Sequence, residues 1–175
     1  DLDLMRAEVM AFNPEIVFPL AAQALVRPSY DDPKTTFDVN IGGGVNVLEV
    51  VRACESVQAL VFITSDKCYE NLEWIWGYRE NDAMGGRDPY SASKGAAELV
   101  FSSYLRSFFA NRPNFGGATA RAGNVIGGGD WAADRIVPDC VRAIQFGRAI
   151  TIRSPRATRP WQHVLEPLSG YLKLG

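Results

Sequence analysis

Short apolar runs that alternate with helical segments are the feature that most constrains the fold of this chain. The runs Glu15–Ala21, Ala59–Ile63 and Ala118–Ala122 are nearly continuous in apolar residues, as expected for strands covered on both faces. Segments with helical spacing separate them, from Pro33 to Ser56 and from Tyr90 to Asn111. This alternation predicts an open α/β fold built on a parallel sheet.

The pattern continues beyond the third strand. It predicts a helix from about Arg135 to Phe146 and a short strand from Ala149 to Ile152. In the helix that begins near Tyr90, four apolar residues are spaced three to four apart and are expected to face the core: Ala97, Phe101, Leu105 and Phe108.

Composition excludes several classes of protein. Of the 175 residues, 47% are hydrophobic and 22% are charged, which is typical of a folded globular chain. A net charge of −2 provides no field that would attract nucleic acid or an anionic membrane. The longest apolar run, Ile16–Ala22, contains Pro19 and is too short to span a bilayer.

The histidine and cysteine content argues against a metal or disulfide framework. His163 is the only histidine, so zinc sites that need two or three histidines are excluded and no metal site is predicted. The cysteines are odd in number and lack the spacing of metal or disulfide motifs: Cys54, Cys68 and Cys140. Free thiols in a reducing cytosol, and hence a cytoplasmic location, are expected.

Polar or small residues follow each predicted strand. Leu20–Gln23, Thr64–Lys67 and Gly123–Asn124 are these strand ends. Ligands of open α/β sheets bind outside the carboxyl ends of the strands. The three segments are therefore expected to meet at one edge and to form the functional site.

The pair Tyr90 and Lys94 is the sharpest chemical signal in the chain. The two residues are one helical turn apart and share a face of the predicted helix. A lysine ammonium beside a phenol stabilises the phenolate, which is the form that acts as a base. Ser65, at the end of the second strand, can place a hydroxyl beside the phenol. The three residues could therefore supply a hydrogen-bond donor, a base and a cation.

Several stretches along the chain together match the pattern of one family. They are Leu20–Gln23, Asn40 with the glycines 42–44 and Asn46, Thr64–Asn71, Tyr90–Lys94, Arg121–Val125, Gly127–Trp131 and Arg156–Val164. On these stretches the chain resembles the nucleotide-sugar 4,6-dehydratases of the extended short-chain dehydrogenase/reductase superfamily, and among them those that act on CDP-glucose. The resemblance covers nearly the whole chain.

The resemblance implies an internal redox cycle with NAD as cofactor and a nucleotide-diphosphate sugar as substrate. By family position, Tyr90 removes the proton of the sugar 4-hydroxyl, Ser65 hydrogen-bonds the developing carbonyl, and Lys94 contacts the nicotinamide ribose. Lys67 then removes the C5 proton and Asp66 protonates the departing C6 hydroxyl. The remaining implied site residues are Leu20, Ala21, Ala22 and Gln23 beside the cofactor, and Asn124 and Arg159 beside the substrate.

Two residues and one segment depart from the family pattern. Pro19 stands where His is usual, and Gly44 where Thr is common. The strand and Gly-x-Gly-x-x-Gly turn that open a dinucleotide-binding unit are absent. We therefore expect a Rossmann-like, doubly wound parallel sheet that lacks its N-terminal Gly-rich unit. Residues 1–125 would be the partial NAD-binding domain and residues 126–175 part of a C-terminal substrate lobe.

The sequence leaves three interpretations open. In the first, the chain is the middle and later part of a larger dehydratase, and its incomplete cofactor cradle puts the activity of this chain by itself in question. In the second, it is another nucleotide-sugar epimerase or dehydratase of the superfamily. In the third, it is a non-catalytic module that keeps family residues as scaffold. The Ser65–Lys67 triplet argues against a simple epimerase, which catalyses no C5/C6 elimination. The resemblance further suggests a homodimer formed through the helix that contains Tyr90.

Overall fold

The computed structural model describes all 175 residues as an α/β chain with seven helices and five strands. A 3-10 turn spans Asp66–Cys68, and π-helical turns span Asp38–Gly42 and Leu105–Phe109. The other elements, in chain order, are α1 (Leu2–Phe12), β1 (Ile16–Val17), α2 (Val26–Asp31), α3 (Pro33–Phe37), α4 (Gly43–Ala53), β2 (Ala59–Ile63), α5 (Pro89–Tyr104), β3 (Gly116–Ala120), β4 (Asn124–Ile126), α6 (Ile136–Gln145), β5 (Trp161–His163) and α7 (Leu165–Leu174).

A parallel sheet of three strands in the order β1-β2-β3 confirms the predicted fold class. Ile16 pairs with Ala59 in β2, and Ala59 pairs on its other side with Gly116 in β3. The observed β1 ends at Val17 and is therefore shorter than the predicted strand Glu15–Ala21. Pro19 therefore lies beyond the last ladder residue, where its missing N–H removes no strand hydrogen bond.

The core lies between this sheet and the helices that connect its strands. Leu48 of α4 and Leu60 of β2 are almost fully buried, and Phe62 and Phe101 contact each other with ring centroids 5.5 Å apart. The absence of a side chain at Gly44 fits this packing, because a Cβ there would lie 3.0 Å from Cζ of Phe62. Bringing α4 this close to β2 compensates for the weak helix propensity of glycine.

The predicted core stripe of the Tyr90 helix is right at Ala97, Phe101 and Leu105 and wrong at Phe108. Ala97 and Phe101 are buried, and Leu105 packs against the core. Phe108 is 51% exposed, whereas its neighbour Phe109 is 3% exposed. The π-helical turn Leu105–Phe109 adds a residue to one turn and rotates the following side chains, so the core position moves from Phe108 to Phe109.

The strand predicted at Ala149–Ile152 is also wrong. These residues are irregular and exposed. The strands of this region are instead β4 and β5, which pair in parallel with Asn124 opposite Trp161. Two apolar residues separated by one, Ile150 and Ile152, produced the alternation that suggested a strand, but no neighbouring strand pairs with them.

The chain divides into two compact units. The first contains residues 1–122 and 171–175, and the second contains residues 123–170. The sequence predicts an NAD-binding domain up to residue 125 and a substrate lobe after it. The functions given to these two parts remain a prediction. No helix in the structure has both the length and the apolar character needed to cross a membrane.

Candidate active site

The first turn of α5 is shaped by its capping residues. Asp88 is the N-cap, and its carboxylate accepts hydrogen bonds from the backbone N of Ser91 at 2.9 Å and from its hydroxyl at 2.7 Å. Pro89 occupies the first helical position, where a missing N–H costs nothing. The sequence Asp-Pro therefore starts the helix immediately before Tyr90 and places Tyr90 and Lys94 on its first two turns.

Tyr90 and Lys94 form a buried pair. Lys94 is 7% exposed, and its Nζ lies 6.0 Å from the centroid of the Tyr90 ring. Burial lowers the pKa of Lys94, because desolvation disfavours the charged form. Lys94 forms no ion pair within the chain. The cation is therefore held beside the tyrosine without a carboxylate to neutralise it.

Ser65, Asp66 and Lys67 form a tight turn at the end of β2. The Ser65 hydroxyl accepts from the backbone N of Lys67 at 3.2 Å and donates to Oδ1 of Asp66 at 3.1 Å. The turn lies directly against α5, since a Cβ at Gly95 would be 3.2 Å from the carbonyl oxygen of Cys68. Glycine directly after Lys94 thus allows the Ser65–Lys67 turn to approach the helix that carries Tyr90.

The predicted cofactor segment follows β1. Leu20, Ala21 and Ala22 are exposed, whereas Gln23 is half-buried. The Asn40 side chain holds the Gln23 backbone by accepting from its N at 2.9 Å and donating to its carbonyl at 3.0 Å. Asn40 also donates to the Ser93 hydroxyl at 2.8 Å, which ties this segment to α5.

Sequence reasoning did not identify Asn40, Ser29 or Ser93 as site residues. Ser29 accepts a hydrogen bond from the backbone N of Tyr90 at 3.2 Å, and the Ser93 hydroxyl donates to the Tyr90 carbonyl at 2.6 Å. All three side chains are buried. Ser29 contacts Tyr90 across 61 residues and Asn40 contacts Ser93 across 53 residues, so no local pattern in the sequence indicates these contacts.

Asn124 and Arg159, predicted to contact substrate, belong to the second unit. Asn124 begins β4, and its backbone N donates to the carbonyl of Pro160 at 3.2 Å. Arg159 is exposed and donates to the Thr158 carbonyl at 2.6 Å. A Cβ at Gly123 would lie 2.5 Å from Cγ of Pro160, so glycine permits the close contact between these two segments.

Comparison with known proteins gives one consistent family. The family model for the NAD-dependent epimerase/dehydratase family matches residues 1–174. CDP-glucose 4,6-dehydratase of Salmonella typhimurium is 55% identical over 98% of this chain, which corresponds to 49% of that protein. A solved UDP-glucose 4-epimerase of Thermus thermophilus in complex with NAD has a TM-score of 0.84 and 28% identity, and the match covers 99% of this chain and 57% of that one.

A dTDP-glucose 4,6-dehydratase from Streptomyces venezuelae, solved as a double mutant with NAD bound, has the same fold. The TM-score is 0.86 at 20% identity, with 100% of this chain and 52% of that chain covered. These similarities define the class of protein, which is a Rossmann-like α/β chain. The chain belongs to the NAD-dependent epimerase/dehydratase family. It spans about half the length of the CDP-glucose 4,6-dehydratase that it matches.

Proposed function

We propose that this chain carries the reaction residues of a 4,6-dehydratase that converts CDP-glucose to CDP-4-keto-6-deoxyglucose with NAD as cofactor. The observation that carries the proposal is the buried Tyr90–Lys94 pair packed beside the Ser65–Lys67 turn. Both segments lie in a chain that is 55% identical to a CDP-glucose 4,6-dehydratase. An epimerase has no use for an acid and a base at C5 and C6, which the triplet Ser65-Asp66-Lys67 provides.

The first unit has features that fit the ribose side of NAD. The Lys94 ammonium is buried and has no ion-pair partner, so vicinal ribose hydroxyls would supply the polar contacts that it lacks. The small, exposed Ala21 and Ala22 leave space for a dinucleotide, and Asn40 fixes the backbone of the adjacent Gln23. When bound, NAD supplies a reversible hydride acceptor for the sugar.

In the first half of the reaction the phenolic oxygen of Tyr90 takes the proton of the sugar 4-hydroxyl. Lys94 stabilises the phenolate through its charge, which is little screened at a buried position. The Ser65 hydroxyl donates to the oxygen that becomes the C4 carbonyl. Its proton now points to Asp66, and a hydroxyl can rotate to the substrate at little cost.

In the second half a 4-keto group acidifies the neighbouring C5 hydrogen. The Lys67 amine takes this proton, and the Asp66 carboxyl donates a proton to the departing 6-hydroxyl, so that the sugar loses one water overall. Both side chains extend from the 3-10 turn that Ser65 caps, and both are half-buried. One rigid turn would thus hold the base and the acid of the elimination.

In the second unit, Asn124 and Arg159 are proposed to bind the diphosphate side of the substrate. A guanidinium matches the geometry of phosphate oxygens, and the exposed Arg159 makes only a hydrogen bond to the neighbouring Thr158 carbonyl. Parallel pairing of β4 and β5 places the start of β4, at Asn124, opposite Trp161, two residues after Arg159.

The test is to incubate the chain with CDP-glucose and NAD+ in D2O and to analyse the sugar nucleotide by mass spectrometry and NMR. We expect loss of one water and incorporation of solvent deuterium at C5, both abolished in Tyr90→Phe. Tyr104→Phe is the matched control on the same helix, because its hydroxyl contacts Glu49 rather than Tyr90 or Lys94. Tyr104→Phe should keep wild-type turnover.

Inversion at C4 without dehydration would replace this proposal with an epimerase. Absence of both turnover and calorimetric NAD+ binding would favour a non-catalytic module. Equal turnover in wild type and Tyr90→Phe would refute the assigned base.

A homodimer and a cytoplasmic location complete the proposed function. The helical segment that begins with α5 leaves the large apolar side chains of Leu99 and Phe108 exposed, at 64% and 51%, and a second copy could cover them. Cys54 and Cys68 are buried free thiols, which suits a reducing compartment. Light scattering on the purified chain tests the dimer: a monomer mass at micromolar concentration contradicts it.

A further inference from the structure

A buried ion pair lies one turn beyond Lys94. Glu98 accepts from Arg121 through two hydrogen bonds of 2.8 Å each, from Nε to Oε1 and from Nη2 to Oε2. The side chains of Glu98 and Arg121 are 5% and 14% exposed. A two-bond carboxylate–guanidinium pair fixes orientation as well as distance, because both groups are planar. The pair therefore ties α5 to the residue that directly follows β3.

The same carboxylate also holds the end of β2. The Thr64 hydroxyl donates to Oε1 of Glu98 and lies 3.4 Å from the carbonyl oxygen of Ala120. Thr64 is 7% exposed and is bonded directly to Ser65 in the chain. Glu98 thus connects the helix that carries Tyr90 and Lys94 to the backbone that carries Ser65.

Arg121 extends the connection to the loop after the Ser65–Lys67 turn. Its Nη1 donates to the Tyr69 hydroxyl at 2.8 Å and to the Glu80 carbonyl at 3.0 Å. Its guanidinium carbon lies 5.0 Å from the centroid of the Tyr69 ring. Each of the three guanidinium nitrogens of Arg121 therefore donates to a protein acceptor, and the loop is held at Tyr69 and at Glu80.

The contacts of Glu98 favour its ionised form. Burial raises the pKa of Glu98, but hydrogen bonds from Arg121, Thr64 and Thr119 outweigh it and hold the pKa below its ordinary value. A buried ion pair is a weak source of stability, since an apolar replacement of the same volume is often as stable. The Glu98–Arg121 pair lies at the carboxyl ends of β2 and β3, and its role is better explained by the orientation of these segments than by a gain in stability.

We propose that Glu98 is a positioning residue for the dehydration reaction, which holds Ser65 in register with Tyr90 and Lys94 through Thr64 and Arg121. This inference rests on the function proposed above. Glu98 does not touch the substrate; it sets the separation between the Ser65 hydroxyl and the Tyr90 phenol, which must both reach the oxygen at C4. An error of about 1 Å in such an arrangement can reduce the rate about 100-fold.

The test compares three variants with a matched control. Glu98→Gln keeps the shape but places an amide donor against donors of Arg121 or Thr64, and Thr64→Val removes one hydroxyl while leaving the ion pair intact. Thr64→Ser restores the donor and should rescue the effect. The control is Glu49→Gln, because Glu49 also accepts from an arginine and a hydroxyl, those of Arg52 and Tyr104.

At a temperature where circular dichroism shows all variants folded, Glu98→Gln and Thr64→Val should lower kcat at least about tenfold, with KM for CDP-glucose changed less than about twofold. Thr64→Ser and Glu49→Gln should keep kcat near wild type. Unchanged kcat in Thr64→Val overturns the inference, even where Glu98→Gln does not fold. A loss in Thr64→Ser equal to that in Thr64→Val overturns it as well.

A second readout separates this inference from the proposed function. Amide resonances of Ser65–Lys67 and the 13Cε signal of Lys94, one of four lysines, can be followed in each variant without substrate. If the wild-type chain converts no CDP-glucose, the proposed function fails, and the resonances still decide the positioning role. The positioning role is supported if Thr64→Val shifts both the Ser65–Lys67 amide resonances and the Lys94 13Cε signal while Glu49→Gln shifts neither. Unchanged resonances in Thr64→Val refute it.

Discussion

Replacing Asn40 with alanine is expected to destabilise the first unit by about 3 kcal/mol, because the Asn40 side chain makes three hydrogen bonds at about 1 kcal/mol each. Asn40 is 7% exposed, so water cannot readily replace it. The Gln23 N–H and carbonyl would lose their partner at the end of β1, and α5 would lose the tie through Ser93. We therefore expect destabilisation together with loosening of the segment proposed to hold NAD.

The measurement is urea unfolding followed by circular dichroism, with thermal unfolding as a second probe. For a chain of this size about 3 kcal/mol corresponds to a fall in Tm of about 6–12 °C. Asn46→Ala is the matched control, since Asn46 is a half-buried asparagine on α4 whose side chain makes no hydrogen bond in the chain. Both substitutions exchange asparagine for alanine within one continuous helical segment, so the difference between them reports chiefly on the hydrogen bonds of Asn40.

The reasoning would be refuted if Asn40→Ala were within about 1 kcal/mol of Asn46→Ala, the value of a single ordinary hydrogen bond. Asn40→Asp adds a sharper comparison. A carboxylate can accept from the Gln23 N–H, but it has no donor for the Gln23 carbonyl and repels that oxygen. Asn40→Asp should therefore be at least as destabilising as Asn40→Ala at neutral pH and recover partly as the aspartate is protonated.

Two further predictions follow from buried titratable groups. Lys94→Met should raise Tm at pH 7, because burial lowers the folded-state pKa of Lys94 and the unfolded chain therefore binds this proton more tightly. The gain in Tm should shrink as the pH rises toward the unfolded-state pKa of about 10.4. A gain that stays constant from pH 7 to 10 would contradict this prediction. A maleimide should label the native chain at Cys140 and spare Cys68 and Cys54. Burial raises the pKa of Cys68 to about 11, and Cys54 is only 1% exposed. Peptide mass spectrometry measures the labelling, and labelling of Cys68 as fast as Cys140 would disprove the prediction.

Local signals in the sequence were sufficient for most of the sheet and its connections. The continuous apolar run Ala59–Ile63 is β2 to the residue, and the helical spacing from Tyr90 predicts α5 and its buried Ala97 and Phe101. These predictions succeed because burial on both faces makes a strand continuously apolar, and burial on one face spaces the apolar residues of a helix about 3.6 apart. The pairing of Tyr90 with Lys94 has the same origin, since one helical turn separates them.

Local signals failed where the chain departs from regular geometry. Phe108 has the spacing of a core residue, but a π-helical turn gives that place to Phe109. Ile150 and Ile152 alternate like a strand, but no partner strand lies beside them. A strand needs a neighbour to satisfy its backbone groups, and the identity of that neighbour is not encoded in a short window.

The sequence by itself determined the fold class, the places of β2 and α5 in the chain and the residue types that can perform the chemistry. Only the tertiary structure decided how these residues are held. Asn40 donates to Ser93, 53 residues later in the chain, and Arg121 donates to Glu98, 23 residues earlier. Both acceptors lie on α5, the helix that carries Tyr90 and Lys94. Hydrogen bonds and ion pairs depend on distance and angle in space, so contacts between distant segments emerge only when the sheet has brought its strand ends together.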